Sequence, residues 1–403
     1  MISKSEYLER LTRLQEKMRD LDVFIVTSRE SIYYLTGAGF EPLERPFFLL
    51  VPRSGSPTLI TPMLDRDHLG KAHSVEPGNI KFYWEYTAPH GRGWREILLD
   101  LVNTRTIIGV EPSLRMEIRL ALPENIRVLP LIEELRIIKT PAEIDMLRRA
   151  AGYADKAVQQ LVSAAYYGSS AVEGYARSRH VTAAMIRETP DFEPADSSVL
   201  MATWAAPRSS QPHSVPALTD RTREGPHVAL AVTRCNGYTA ECERTFFTST
   251  PKGWPLAAFK AMMAARELGI SLVRPGVSCS ELDKSVTDFL RAEGYSGDEV
   301  RLHRIGHGFG LGNHEAPWIS EGSEDVLQEN MVIAIEPGIY NKREGGVRHS
   351  DTILVTRDGA EMLTKFPVKL NDLIVKGARL SARIQGALVK RALNLSSQSS
   401  AVS

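Results

Sequence analysis

From Tyr7 to Leu21 apolar side chains recur every three or four positions in a charged background, the spacing of an amphipathic helix. Four short apolar runs follow: DVFIVTS, PFFLLVP, PTLITP and TIIGVE. Each has strand length and is bounded by proline, glycine or charged residues. Strands interleaved with helical segments predict a smaller α/β domain with a mixed sheet over residues 1–135.

Near Arg136 the pattern changes. RIIKTPAEIDMLRRAAGYADKAVQQLVSAA carries Thr140, Pro141 and Glu143, which supply an N-cap, a proline at the first helical position and a capping-box acid, so a long helix opens the second domain. A second capping box, Ser278 to Glu281, follows the Pro275-Gly276 break. The strand candidates around these helices are HVALAVTRC, GYTAECERTFF, MVIAIEPGIY and DTILVT. Helices and strands come in long blocks rather than strict alternation, which predicts an α+β domain with a largely antiparallel sheet over 136–375. The remainder, 376–403, is basic and then serine-rich, and is expected to fray.

Composition narrows the function classes. Of 403 residues, 49 are Lys or Arg and 49 are Asp or Glu, so no net field favours nucleic acid or a membrane surface. The N-terminus is charged throughout and lacks the apolar core of a signal peptide, which sets the expectation of a cytoplasmic protein. Cys235, Cys242 and Cys279 are odd in number and without CxxC spacing, so they read as buried reduced thiols rather than disulfides or a zinc site.

Four clusters of the second domain combine histidine or carboxylate with glycine. PHSVP holds His213. NGYTAECERTFF places Glu241 and Glu243 two apart, on one side of a strand. RIGHGFGLGNHEAP presents His307 and His314 among four glycines that let backbone approach a ligand. AIEPGIY sets Glu336 in an apolar run, where a carboxylate costs free energy unless paired or used. A glutamate pair alone is equally compatible with a solvated strand face. The four clusters in this order favour a functional site.

Through IKTPAEIDMLRRA, PHSVP, NGYTAECERTF, GHGFGLGNHEAP, IEPGIY and GGVRHSDTILVT the second domain resembles the pita-bread proteins: methionine aminopeptidase, aminopeptidase P, prolidase and creatinase. The likeness extends from about residue 5 to 375, since the first domain resembles the creatinase-type N-terminal domain. The resemblance implies two divalent ions held by two aspartates, a histidine and two glutamates in the peptidases. Here the first aspartate falls on Leu230, the second becomes Glu241, His307 and Glu336 are kept, and the last glutamate falls on Ser350. Asp351 is adjacent but points to the other face of a strand. Close cations need that density of carboxylate, so a two-metal site is not expected, although Glu241, His307 and Glu336 could hold one ion.

Creatinase works without metal, and the sequence is similar to it at several points. Its catalytic histidine falls on His213, its guanidinium-binding glutamates on Glu243 and Glu336, and an arginine given to the partner subunit's site on Arg45; its second carboxylate-binding arginine falls on Trp318. The resulting expectation is a metal-independent, cofactor-free, creatinase-like hydrolase of a carbon–nitrogen bond in a small guanidino, amidine or imide carboxylate. Its catalytic residues would be His213, Glu243 and Glu336. Arg45, Glu241, His307, His314 and Trp318 would bind substrate, with Arg45 supplied in trans across a homodimer. The alternatives are an Xaa-Pro aminopeptidase or prolidase-like peptidase with a degenerate metal site, a lyase, and a non-catalytic binding protein.

Overall fold

The computed structural model describes residues 2–69, 72–85, 87–297, 300–375, 377 and 380–395. Contacts divide it into two compact units, Met1–Ile137 and Ile138–Ser403.

The first unit is built on a six-stranded sheet whose strands are β1 Val23–Val26, β2 Phe48–Pro52, β3 Thr58–Pro62, β4 Ile80–Tyr83, β5 Ile108–Val110 and β6 Ile126–Val128, in the order β4-β3-β2-β1-β5-β6. β2 runs antiparallel to β1 and β3, while the β3–β4, β1–β5 and β5–β6 pairs are parallel. All four residues of β1 are buried, because both faces of the sheet are covered; this explains the unbroken apolar run. Val23, Ile25, Phe48, Leu50, Ile60 and Leu98 share one cluster. The first helix, Lys4–Lys17, begins earlier than the apolar spacing predicts because the Ser3 side chain accepts from the Glu6 amide, and it ends before Leu21, where Arg19 turns to a φ of 25°.

The second unit carries an eight-stranded sheet formed by β7 Ser198–Trp204, β8 His227–Cys235, β9 Tyr238–Phe246, β10 Gly306–Gly308, β11 Glu315–Ile319, β12 Val332–Ile335, β15 Ser350–Thr356 and β16 Gly359–Met362. Its order is β11-β10-β12-β15-β9-β8-β7, with β16 paired to β15; β13 Gly338–Asn341 and β14 Gly345–Arg348 form a separate ribbon. Every pairing between these strands is antiparallel. The fold class is therefore α+β.

One turn sets the register that matters. Asn236 and Gly237 both take positive φ, 45° and 87°, giving the two-residue primed turn whose twist matches a β-hairpin. That turn places Leu230 opposite Glu243 and Val232 opposite Glu241. Thr233, on the alternate face, donates through Oγ1 to the Ala150 carbonyl at 2.7 Å in the long helix Pro141–Ala164, which packs on β8 and β9. Ala231, Ala240 and Cys242 share that helix-covered face, and their small side chains let the helix lie close. Leu230, Val232, Glu241 and Glu243 are left pointing the other way, and Ser350, opposite Glu243 on β15, joins them.

The Thr140 capping box is formed in both directions, and Ser278 caps the helix Cys279–Ala292. The expected fraying of the tail is not what the structure contains: Leu380–Ala392 is a helix against Ala171–Tyr175, tied by Lys390 to Glu173 at 3.1 Å. Two buried small residues, Ala382 and Gly386, permit that packing despite the polar composition. Residues 376, 378–379 and 396–403 of that stretch lie outside the described residues. All three cysteines are buried and unpaired. Among the described residues no helix is long and apolar enough to cross a membrane.

Candidate active site

The inward face of β7, β8 and β9 forms one side of a cavity of about 780 Å³. Leu200, Leu230 and Val232 give it an apolar wall, beside which stand Glu241, Glu243, Glu336 and Arg348; His213, His303, Arg304 and His314 are also among the lining residues.

The second histidine cluster reaches the cavity through close backbone packing. A Cβ on Gly306 would meet the Ala334 carbonyl at 2.1 Å, and one on Gly308 the Ala316 carbonyl at 2.3 Å. These glycines therefore serve contact between strands, not the approach of a ligand, and they bury His307 completely. Its Nδ1 lies 3.1 Å from the Gly308 carbonyl, so Nδ1 carries the proton. Nε2 is left as a bare acceptor, sealed from solvent with no hydrogen-bond partner and 3.5 Å from Glu336 Oε1. Glu336 is held in place by its own amide, which donates to the Ile305 carbonyl at 2.7 Å.

Three carboxylates converge here. One oxygen from each of Glu241, Glu243 and Glu336 lies within 4.8 Å of the others, as do donor atoms of Glu241, His307 and His314. Burial first, and the Glu243 charge second, push Glu241 up to about 8. Burial, then Glu241 and Glu243, drive Glu336 well above the usual carboxylate range. His307 is lowered to about 3 by burial and then by His314, whose ring centroid is 4.2 Å away, so it stays neutral. Such a set has more acid than it can ionise by itself.

Glu243 behaves differently. Arg348 grips it with Nη2 at 2.8 Å and with Nε at still closer range, a buried two-point pair. Arg348 is itself fixed: its amide donates to Thr245 Oγ1 at 2.8 Å, and its Nη1 donates to Tyr340 Oη at 3.3 Å. The Tyr340 hydroxyl donates onward to His303 Nε2 at 2.6 Å, because Nδ1 of that ring faces the Arg304 carbonyl at 2.8 Å and must hold the proton. Burial and the Arg348 charge lower His303 to about 3. Glu243 was expected to hold a cationic substrate; its two oxygens are already committed to a guanidinium of the same chain.

The other predicted residues fall as follows. His213 and His314 line the cavity and are exposed. Trp318 does not line it; it sits opposite His307 in the β10–β11 ladder and carries the Arg304 guanidinium 4.7 Å above its ring. Arg45 belongs to the first unit, where it pairs with Glu85 at 3.4 Å beside a cavity of about 260 Å³. Ser350 is buried on the site face, whereas Asp351 points away and is bound by Arg244 at 2.7 Å and Arg266 at 2.5 Å. The sequence reading missed Arg348, Tyr340, His303 and Arg304. Arg348 lay in GGVRHSD and the last two immediately before the GHGFG run, so their proximity to the named motifs was the available signal.

The fold and the carboxylate–imidazole pocket define a hydrolase of the pita-bread class. The profile of metallopeptidase family M24 matches residues 145–357, and that of the creatinase/prolidase N-terminal domain matches 10–138. The chain belongs to metallopeptidase family M24 and acts on carbon–nitrogen bonds as a hydrolase. It is 30% identical to an Xaa-Pro dipeptidase of Pyrococcus furiosus, across 89% of this chain and 98% of the relative. A putative dipeptidase of Bacillus subtilis is 29% identical, covering 87% of this chain and 94% of the relative. The solved prolidase of Pyrococcus horikoshii superposes with a TM-score of 0.74 at 26% identity, covering 90% of this chain and 99% of that one.

These relatives overturn the creatinase-like, metal-independent assignment. The agreement at His213, Glu243 and Glu336 that suggested it covers a few positions, whereas likeness to dipeptidases runs along nearly the whole chain. The structure supplies the physical reason as well: Glu243, a central element of that assignment, is occupied by Arg348.

Proposed function

We propose that this chain is a dipeptidase-like hydrolase that cleaves the peptide bond of a short peptide and binds a single divalent ion. The observation that carries the reading is the donor set: Glu241 Oε1 and His307 Nε2 are buried with no hydrogen-bond partner, and they face Glu336 on a metallopeptidase scaffold. Oxygen and imidazole donors suit a hard or borderline cation, and a cation offsets the burial and, after it, the mutual repulsion that raise Glu241 and Glu336.

The residues present do not fit two ions. Leu230 and Ser350 stand where a second ion needs carboxylates, and the adjoining Glu243 is already neutralised by Arg348. Glu241, His307 and His314 bring donor atoms within 4.8 Å of one another, with Glu336 Oε1 3.5 Å from His307 Nε2, and that set fits one. An ion held there supplies Lewis acidity for the scissile carbonyl and makes water a better nucleophile.

The chain's own side chains do the rest. His213, exposed on the cavity wall, passes a proton to the departing nitrogen. Arg348 supplies a permanent positive charge beside Glu241 and Glu336, and its bonds to Glu243 and Tyr340 keep it from moving. Leu200, Leu230 and Val232 give that side of the cavity an apolar surface, beside which charge interactions strengthen once a bound substrate displaces water.

The test is hydrolysis of a panel of Xaa-Pro and other dipeptides by purified protein, before and after chelation. Peptide cleavage that disappears with chelator and returns with one equivalent of Mn²⁺ or Zn²⁺ is the expected result. Unchanged cleavage after complete metal removal, or no cleavage of any peptide with metal restored, contradicts the reading.

A further inference from the structure

The even charge of the whole chain conceals a division. Residues 376–403 hold five basic residues, Lys376, Arg379, Arg383, Lys390 and Arg391, and no acidic one, so the rest of the chain carries five more acids than bases. The helix Leu380–Ala392 stands in that basic stretch, beyond residue 357, where the M24 profile ends. The catalytic fold does not account for it.

The helix is held firmly, and with its small residues inward. It buries Ala382 and Gly386. A Cβ on Gly386 would meet Glu173 Oε2 at 1.9 Å, so the glycine is what lets this face lie against Ala171–Tyr175. Arg177 donates to Gln385 Oε1 at 3.1 Å, and Lys390 pairs with Glu173 at 3.1 Å. Leu380, Ile384 and Leu388 recur every four positions on the opposite side, and they are 74%, 52% and 60% exposed. An amphipathic helix that served only packing would turn these three to the core.

Charge identifies what covers the stripe. Arg383 and Arg391, each three positions from one of its residues, are exposed, and among the described residues neither pairs with a carboxylate; Arg383 lies over the Tyr166 ring at 5.4 Å. A second copy meeting this face across a two-fold axis would set the same arginines against each other, with no acidic residue in the helix to separate them. A flat anionic surface suits both the apolar stripe and its cationic border, and the acidic remainder of the chain is repelled from it.

We propose that Leu380–Ala392 is a membrane-docking helix that lays Leu380, Ile384 and Leu388 into the headgroup region of an anionic bilayer, with Arg383 and Arg391 at the lipid phosphates. The inference stands apart from the peptidase reading, since none of these residues lines the cavity.

The experiment is co-sedimentation of the full chain with vesicles of phosphatidylcholine, alone or mixed with phosphatidylglycerol, at low and high salt. Light scattering of the protein without vesicles runs alongside. One variant combines Leu380→Ser, Ile384→Ser and Leu388→Ser; the other combines Arg383→Gln and Arg391→Gln. Both leave Ala382, Gly386 and the Lys390–Glu173 pair untouched, and circular dichroism with thermal unfolding checks that the fold is kept. The wild-type chain should bind the anionic vesicles about 10-fold more tightly than the neutral ones, and salt should weaken that binding. The triple variant loses binding, and the arginine variant loses the preference for anionic lipid. Negligible or equal sedimentation with both vesicles, or binding that the triple variant retains, overturns the proposal. So does a mass in solution that falls in the triple variant, which would assign the stripe to a second copy of the chain.

Discussion

Two clusters of buried carboxylate and arginine stand back to back across the same pair of strands. Behind the sheet, Asp351 is shared between Arg244 and Arg266, and Thr364 donates to it as well, so both of its oxygens are filled. In front, Glu241, Glu243 and Glu336 face one contacting guanidinium, Arg348, and one oxygen of Glu241 has no partner. Asp351 is accordingly held down at about 2: burial opposes ionisation, but Arg244 and Arg266 outweigh it. Glu241 is held up at about 8. Adjacent residues of β15, Ser350 and Asp351, thus belong to a binding surface and to a structural network respectively. The saturated cluster is built for stability and the acid-rich one for a ligand.

The sharpest way to break this contrast is Asp351→Ala, which leaves two buried guanidinium groups uncompensated. It should cost about 3–5 kcal/mol in denaturant unfolding, an effect large enough to prevent folding outright. Glu243→Gln is next: it strands Arg348 with a weaker partner, and a loss of about 2–3 kcal/mol together with most peptidase activity is expected. Glu241→Gln separates the two clusters most clearly. Peptidase activity and ion binding should be lost, while stability of the chelated protein is unchanged or rises by about 1 kcal/mol, because a like-charge contact has been removed.

The two clusters also oppose each other in pH. Asp351 has a folded pKa below its unfolded value, so its stabilisation is complete above about 4 and is lost as pH falls toward 2. Glu241 has a folded pKa above its unfolded value, so its contribution is complete below about 4.5 and is lost as pH rises through about 8. In chelated protein, urea unfolding between pH 5 and 8 should show stability falling by roughly 1–2 kcal/mol, a slope that Glu241→Gln reduces and bound ion abolishes.

Much of the fold was legible beforehand because its signals are local. Thr140-Pro141-Glu143 and Ser278 state their caps in the sequence, whereas the Asn236-Gly237 hairpin turn, equally local, was not among the features read there. The tail helix was not legible, since Leu380–Ala392 depends on tertiary contact with Ala171–Tyr175 and on the Lys390–Glu173 pair rather than on an apolar stripe. In the site, residue types identified Glu241, His307 and Glu336, and strand alternation placed Asp351 on the far face. Pairing was the hidden part. Nothing in GGVRHSD announces that Arg348 closes on a glutamate 105 positions away, and that contact decides what Glu243 can do. Arg304 was hidden for the same reason, its partner Trp318 having been read as a substitute for an arginine rather than as the support of one.

Anomalous scattering from crystals equilibrated with Mn²⁺ tests the central claim most directly. The account predicts one manganese peak per chain, in contact with Glu241, Glu336 and His307 and absent in His307→Ala. Two peaks bridged by a carboxylate, or no peak in this pocket at saturating Mn²⁺, would contradict it.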